Sequence, residues 1–114
     1  MQMKEPISFE DFMKVDIRVG EVLEAKVYAE AKKPAYILLV DFGDEIGIKK
    51  SSAQITDYYD CEELVGKQVL GVVNFPPKQI GKFLSEALIL GVYNKKGVIL
   101  IKPDYQVQKG DKLG

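Results

Sequence analysis

The chain has no histidine, no tryptophan and a single cysteine among 114 residues. Without histidine, imidazole acid–base catalysis, Ser-His and Cys-His nucleophilic pairs and histidine-ligated zinc are excluded within one chain. Cys61 has no intramolecular disulfide partner, which suits a reducing compartment. Its acidic surroundings in "DYYDCEELVG" raise a thiol pKa, so an inert side chain is expected. No apolar run is long enough to cross a bilayer, and "MQMKEPISFEDF" lacks the apolar core of a signal peptide. The expectation is a cytoplasmic protein with no membrane insertion. Metal-ligand clusters, phosphate-cradling glycine loops and catalytically paired carboxylates are also missing. Carboxylate, tyrosine or lysine chemistry is left open, as in a hydrolase using Asp or Glu, but nothing in the spacing singles it out; the expectation is a non-enzymatic protein with no catalytic residue, metal or cofactor.

What is present describes a folded chain. Apolar residues make up 46% and charged residues 29%, near globular averages, and the length suits one domain spanning residues 1–114 with a single core. The net charge of −1 conceals an asymmetry: Met1 to Glu63 holds 14 acidic and 8 basic residues, Leu64 to Gly114 holds 3 acidic and 8 basic. A basic half in a neutral protein is able to present a positive patch to a polyanion.

"PISFEDFMKV" opens with Ser8 and Asp11 in capping-box spacing, which predicts a helical turn or two with Phe9 and Phe12 on one face. "VDIRVGEVLEAKVYA" alternates, with Val15, Ile17 and Val19 opposite Asp16 and Arg18, and Gly20 is expected to bend the strand and reset its phase to Val22. For Arg18 the preferred reading is structural, paired to Asp16 or another acid. "AYILLVDFG" and "IGIKKSSAQI" are the second and third strands, and "DYYDCEELVG" is a short helix that Gly66 could cap. "KQVLGVVNF", "SEALILGVYN" and "VILIKP" complete the set. The predicted class is all-β: a five-stranded barrel of OB-fold type with a short N-terminal helix and added C-terminal strand.

Three segments carry the candidate site. In "KKSSAQ", Lys49 and Lys50 neutralise phosphates while Ser51 and Ser52 offer hydroxyl donors; a solvated strand end is the alternative. In "AEAKKP", Lys32 and Lys33 sit in the loop after the first strand, which borders the nucleic-acid face of such barrels, and a solvated loop is again the alternative. The third segment, "NFPPKQIGKFLSEALILG", is too elaborate for a plain connection. Pro76 and Pro77 stop a strand and Gly81 lets the chain turn back. Lys78 and Lys82 supply charge, with Asn74 and Ser85 as polar ends. Phe75, Ile80, Phe83 and Leu84 form either a cluster tucked under the loop or an apolar patch for a second subunit or a peptide.

Taken in order, "VDIRVGEVLEA", "YILLVDFG", "SSAQI", "LVGKQVLGVVNF" and "SEALILGV" resemble the tRNA-binding domain family of OB-fold modules, from about residue 9 to the end. "KKPAYILLVDFGDEIGIKKSSAQIT" and "VVNFPPKQIGKFLSEALILG" are most similar to its CsaA branch of export-related, chaperone-like proteins. The resemblance implies a homodimer that binds tRNA or other structured RNA and associates with unfolded or preprotein polypeptides. A purely polypeptide-binding export chaperone with vestigial RNA binding is the alternative. The chain departs from the broader family at Pro76, where a basic residue is usual, and at Ser85–Glu86–Ala87–Leu88, where Ser-x-Gly-Met stands. Glu86 near an RNA face would repel phosphate.

Overall fold

The computed structural model describes residues 2–114. Ser8 caps the first helix, α1 (Phe9–Met13), its hydroxyl accepting the Asp11 N–H at 3.0 Å. β1 (Ile17–Val27), β2 (Tyr36–Asp41) and β3 (Ile48–Ala53) then form an antiparallel meander. α2 (Cys61–Leu64) starts with a complete capping box: the Asp60 carboxylate accepts the Glu63 N–H, and Glu63 accepts the Asp60 N–H. Gly66 is not the C-cap. Val65 takes that position, and Gly66 (φ +89°) donates its N–H to Val22 of β1.

β4 (Gln68–Val72) pairs with the first half of β1, and β7 (Leu88–Ile89) adds to β4, giving the order β3-β2-β1-β4-β7. The sheet curls into a nearly closed five-stranded antiparallel barrel of the predicted OB type. Its closing seam, between β3 and the chain around β7, is stitched largely by side chains. The Lys50 N–H donates to Glu86 Oε1, the Ser52 N–H to Ser85 Oγ, and Ser51 Oγ to the Ala87 carbonyl; one main-chain bond, Glu86 N–H to the Lys50 carbonyl, joins them.

Two further hairpins leave the barrel. β5 (Lys78–Ile80) and β6 (Phe83–Ser85) occupy the proline-led connection, and β8 (Gly91–Asn94) pairs with β9 (Gly97–Leu100). The single strand expected over "SEALILGVYN" is therefore three pieces. Ser85, Glu86 and Ala87 turn aside to close the seam, and the Leu90 N–H bonds Leu70 between β7 and β8.

Apolar packing explains the long strand. Val22, Leu38, Val40, Phe42, Ala53, Ile55, Leu64, Val69 and Ala87 fill the barrel, while Ile17, Val19, Leu70 and Val72 form a second cluster on its outer face under Leu90, Ile101 and Val107. β1 is thus buried on both faces at its start, and no phase reset occurs at Gly20. The irregularity is a bulge between Val22 and Glu24. Gly20 serves instead to admit the Phe42 ring: a Cβ there would lie 2.5 Å from Val40 and 2.8 Å from Phe42, and one at Gly71 2.8 Å from Phe42.

The C-terminal segment runs beside β1. Val19 exchanges hydrogen bonds with Asp111 and Gly110, and the Leu113 N–H reaches Ile17. Arg18, 5% exposed, anchors this end as expected: it donates to Asp16 at 2.7 Å, Glu45 at 2.9 Å and the Gly110 carbonyl at 3.2 Å. Those two acids raise its pKa.

Candidate nucleic-acid interface

The segment after β4 is a tight hairpin. Ile80 and Phe83 face each other across a two-residue Gly81–Lys82 turn, and Gly81 has φ +63° at the first central position, the signature of a II′ turn. Tyr28, at the end of β1, fastens this hairpin to the barrel. Its hydroxyl donates to the Ile80 carbonyl at 2.6 Å, and its ring meets Phe83 with centroids 5.8 Å apart. Lys50 on β3 places its ammonium 5.5 Å from the centre of the Phe83 ring.

Two clefts flank the Tyr28 anchor. One, of about 500 Å³, lies between the β1–β2 loop and the hairpin turn and is lined by Lys32, Lys33, Ser52, Gln54 and Ile80. The other, of about 350 Å³, is lined by Lys26, Ile37, Lys82 and Phe83. Tyr28 and Glu30 border both. A third cleft of about 300 Å³ lies beyond the hairpin among Phe75, Pro76, Lys78, Ile80, Ala87 and Leu88, with Ser52, Ser85 and Glu86 at its polar side. The structure therefore gathers Lys32, Lys33, Lys50, Ser52, Lys78 and Lys82 around one hairpin.

Four expected RNA contacts lie elsewhere or are already engaged. Side chains alternate along β3, so Lys50 and Ser52 share one face while Lys49 and Ser51 share the other. Ser51 is 1% exposed with its hydroxyl on Ala87, and Ser85, 8% exposed, accepts the Ser52 N–H. Both hydroxyls are engaged in closing the barrel, Ser51 from inside it and Ser85 from the wall of the third cleft. Asn74 accepts the Asp16 N–H at 2.9 Å and donates to the Lys14 carbonyl at 2.7 Å, tying the end of β4 to the chain before β1. Lys49 borders neither basic cleft. Glu86, suspected of repelling phosphate, has a carboxylate oxygen on the Lys50 N–H in the seam.

The apolar set divides as well. Phe75, 50% exposed, and Ile80 line the third cleft. Phe83 packs on Tyr28, whereas Leu84, its neighbour on the opposite hairpin face, is partly exposed. Phe83 thus belongs to the tucked cluster. Sequence reasoning missed Lys26, Gln54 and Tyr28; strict alternation from buried Val22 turns Lys26 inward, the bulge between Val22 and Glu24 reverses that, and nothing local marked Tyr28. Cys61 behaves as expected, burial and then Asp60 pushing its thiol pKa up. Among the described residues no helix is long and apolar enough to cross a membrane.

The family described as "Putative tRNA binding domain" matches residues 17–112. Among solved structures, the CsaA chaperone protein of Picrophilus torridus shares 51% identity at a TM-score of 0.91, over 96% of this chain and 100% of that one. Chaperone CsaA of Bacillus anthracis str. Ames shares 45% at the same TM-score and coverage. Methionine–tRNA ligase of Pyrococcus horikoshii is 38% identical over 109 residues, which is 96% of this chain and 15% of that enzyme. The similarity to the ligase therefore concerns a small part of it. The barrel, its order of motifs and these likenesses agree, and the chain belongs to the tRNA-binding domain family, in its CsaA branch.

Proposed function

We propose that the protein is a non-enzymatic RNA-binding module that holds tRNA or another structured RNA by shape and phosphate charge. The observation that supports this most is the cluster of Lys26, Lys32, Lys33 and Lys82 around the Tyr28 anchor. None of these lysines is in an ion pair among the described residues, whereas Lys14, Arg18 and Lys109 are. Unpaired ammonium groups over two adjoining clefts suit a ligand with regularly spaced negative charges. The family's description and the methionine–tRNA ligase relatives support tRNA as that ligand. Aminoacylation is not part of the proposal, since the matching region is a minor part of the ligase.

A second activity, polypeptide binding of chaperone type, is supported by the third cleft, where Phe75 and Leu88 stand half-exposed beside Pro76 and Ile80. The CsaA relatives carry the word chaperone in their descriptions. A homodimer, supported by exposed Phe9, Met13 and Tyr93, would cover apolar surface that one copy leaves open. A cytoplasmic site of action, with a role in protein export, completes the reading.

The test is retention of unfractionated tRNA and, separately, of a denatured carboxymethylated polypeptide at low and moderate salt, with light scattering on the same sample. Each neutralised phosphate steepens the log-log salt slope by about 0.7 to 0.9, so tRNA retention should fall sharply with salt. Polypeptide retention that persists in salt, with tRNA ignored throughout, would replace the RNA reading with that of an export chaperone whose RNA binding is vestigial.

A further inference from the structure

Hairpin β5–β6 carries Lys82 at its turn, and Lys82 and Lys26 both line the smaller basic cleft. Little fixes the place of that turn. The hairpin leaves the barrel through Pro76–Pro77 and returns at Ser85, whose hydroxyl is bound to the Ser52 N–H. Between those points its turn is held by the Tyr28 hydroxyl on Ile80 and by the Phe83 ring against Tyr28. The Tyr28 hydroxyl also fills the space over the turn: a Cβ at Gly81 would lie 2.8 Å from it. Tyr28 itself is 8% exposed, too buried to serve as a stacking platform for a base.

We infer that Tyr28 is a positioning residue for RNA, holding the hairpin turn so that Lys82 and Lys26 bracket phosphates on one side of the anchor while Lys32 and Lys33 take those on the other. The inference rests on the RNA-binding reading and adds to it two residues, Lys26 and Tyr28, with different roles. Lys26 touches the ligand. Tyr28 acts through Lys82, because an ammonium on an unfastened turn neutralises phosphate only at the entropic cost of ordering the turn.

A double-mutant cycle on the full chain separates positioning from a general structural role. Tyr28→Phe keeps the ring on Phe83 and removes only the hydroxyl. With unfractionated tRNA as the probe, Lys82→Ala and Lys26→Ala should each weaken binding about fivefold near 0.1 M salt and flatten the salt slope by about 0.7 to 0.9. In the Tyr28→Phe background, Lys82→Ala should cost less than about twofold, while Lys32→Ala keeps its full effect. Hydrogen exchange should quicken at residues 78–85 and stay unchanged in β1, β2 and β4, which shows that the barrel is intact. Equal losses for Lys82→Ala in both backgrounds would overturn the positioning role while leaving RNA binding in place. So would loss-free Lys26→Ala and Lys82→Ala variants in a chain that still needs Lys32 and Lys33. If the unmodified chain retains no tRNA even at low salt, the RNA reading itself fails and the inference falls with it.

Discussion

Two ends of the same strand treat basic residues in opposite ways. At the start of β1, Arg18 is buried and satisfied by Asp16, Glu45 and a tail carbonyl, and nearby Lys109 is paired with Asp41 at 3.0 Å. At its far end, Lys26, Lys32, Lys33 and Lys82 surround Tyr28 with no ion pair among the described residues. Positive charge is structural where acids pair with it and available where, as beside Glu30 at both clefts, no ion pair forms among the described residues. Composition alone cannot make that distinction, because lysine counts are blind to partners.

The largest effect is expected in the core that both ends of β1 enclose. Phe42→Ala removes the ring that Gly20 and Gly71 were shaped to admit, and should destabilise the protein by about 3–5 kcal/mol in chemical denaturation. A cost near zero would mean that the glycines have another purpose.

The contrast between the ends is sharpened by a paired experiment. Arg18→Met should cost about 1–3 kcal/mol of stability through lost charged hydrogen bonds, with tRNA affinity unchanged for the fraction that is folded. Replacing Lys32 and Lys33 together by alanine should shift stability by less than about 0.5 kcal/mol and flatten the tRNA salt slope by about 1.4 to 1.8. If Arg18→Met flattened the slope as much, the division of labour between the ends would be wrong.

The smallest effect concerns acid. The Gly43 N–H, and then Lys109, hold the Asp41 carboxyl below its usual range. A depressed folded pKa means that the stabilisation is fully present above the unfolded value, about 3.9, and is lost as pH falls through the lower folded one. Wild-type melting temperature should therefore drop more than that of Asp41→Asn between pH 5 and the acid limit, by the equivalent of less than about 1 kcal/mol. Parallel acid profiles for the two proteins would rule out this contribution.

Much of the fold could be read from local patterns. Ser8 and Asp11 announced α1, alternation announced β1, apolar runs between turn residues announced β2 and β3, and Gly81 announced the turn. The misreadings have a common cause, a long-range partner invisible to local pattern. Gly20 looked like a phase reset because the residues before it are covered by a segment some 90 positions away, as the Arg18–Gly110 bond shows. "KKSS" looked like one polar patch because alternation was not applied to it: Lys49 and Ser51 lie on the other face from Lys50 and Ser52, and Ser51 is taken up in closing the barrel. The loop lysines were legible, since a β1–β2 loop has few places to go. Tyr28 was not, because its significance comes from the carbonyl of Ile80, 52 residues later.

The pairing of β1 with the segment around Asp111 has a consequence in time. β2 pairs with β1 only from Glu21 onward, so the N–H and carbonyl of Val19 wait for Gly110 and Asp111. The meander β1–β3 is built from neighbouring contacts, but the outer cluster over Ile17 and Val19 is covered only once Leu90, Ile101 and Val107 are in place. Without the segment around Asp111, one edge of the first strand is open to whatever strand it meets.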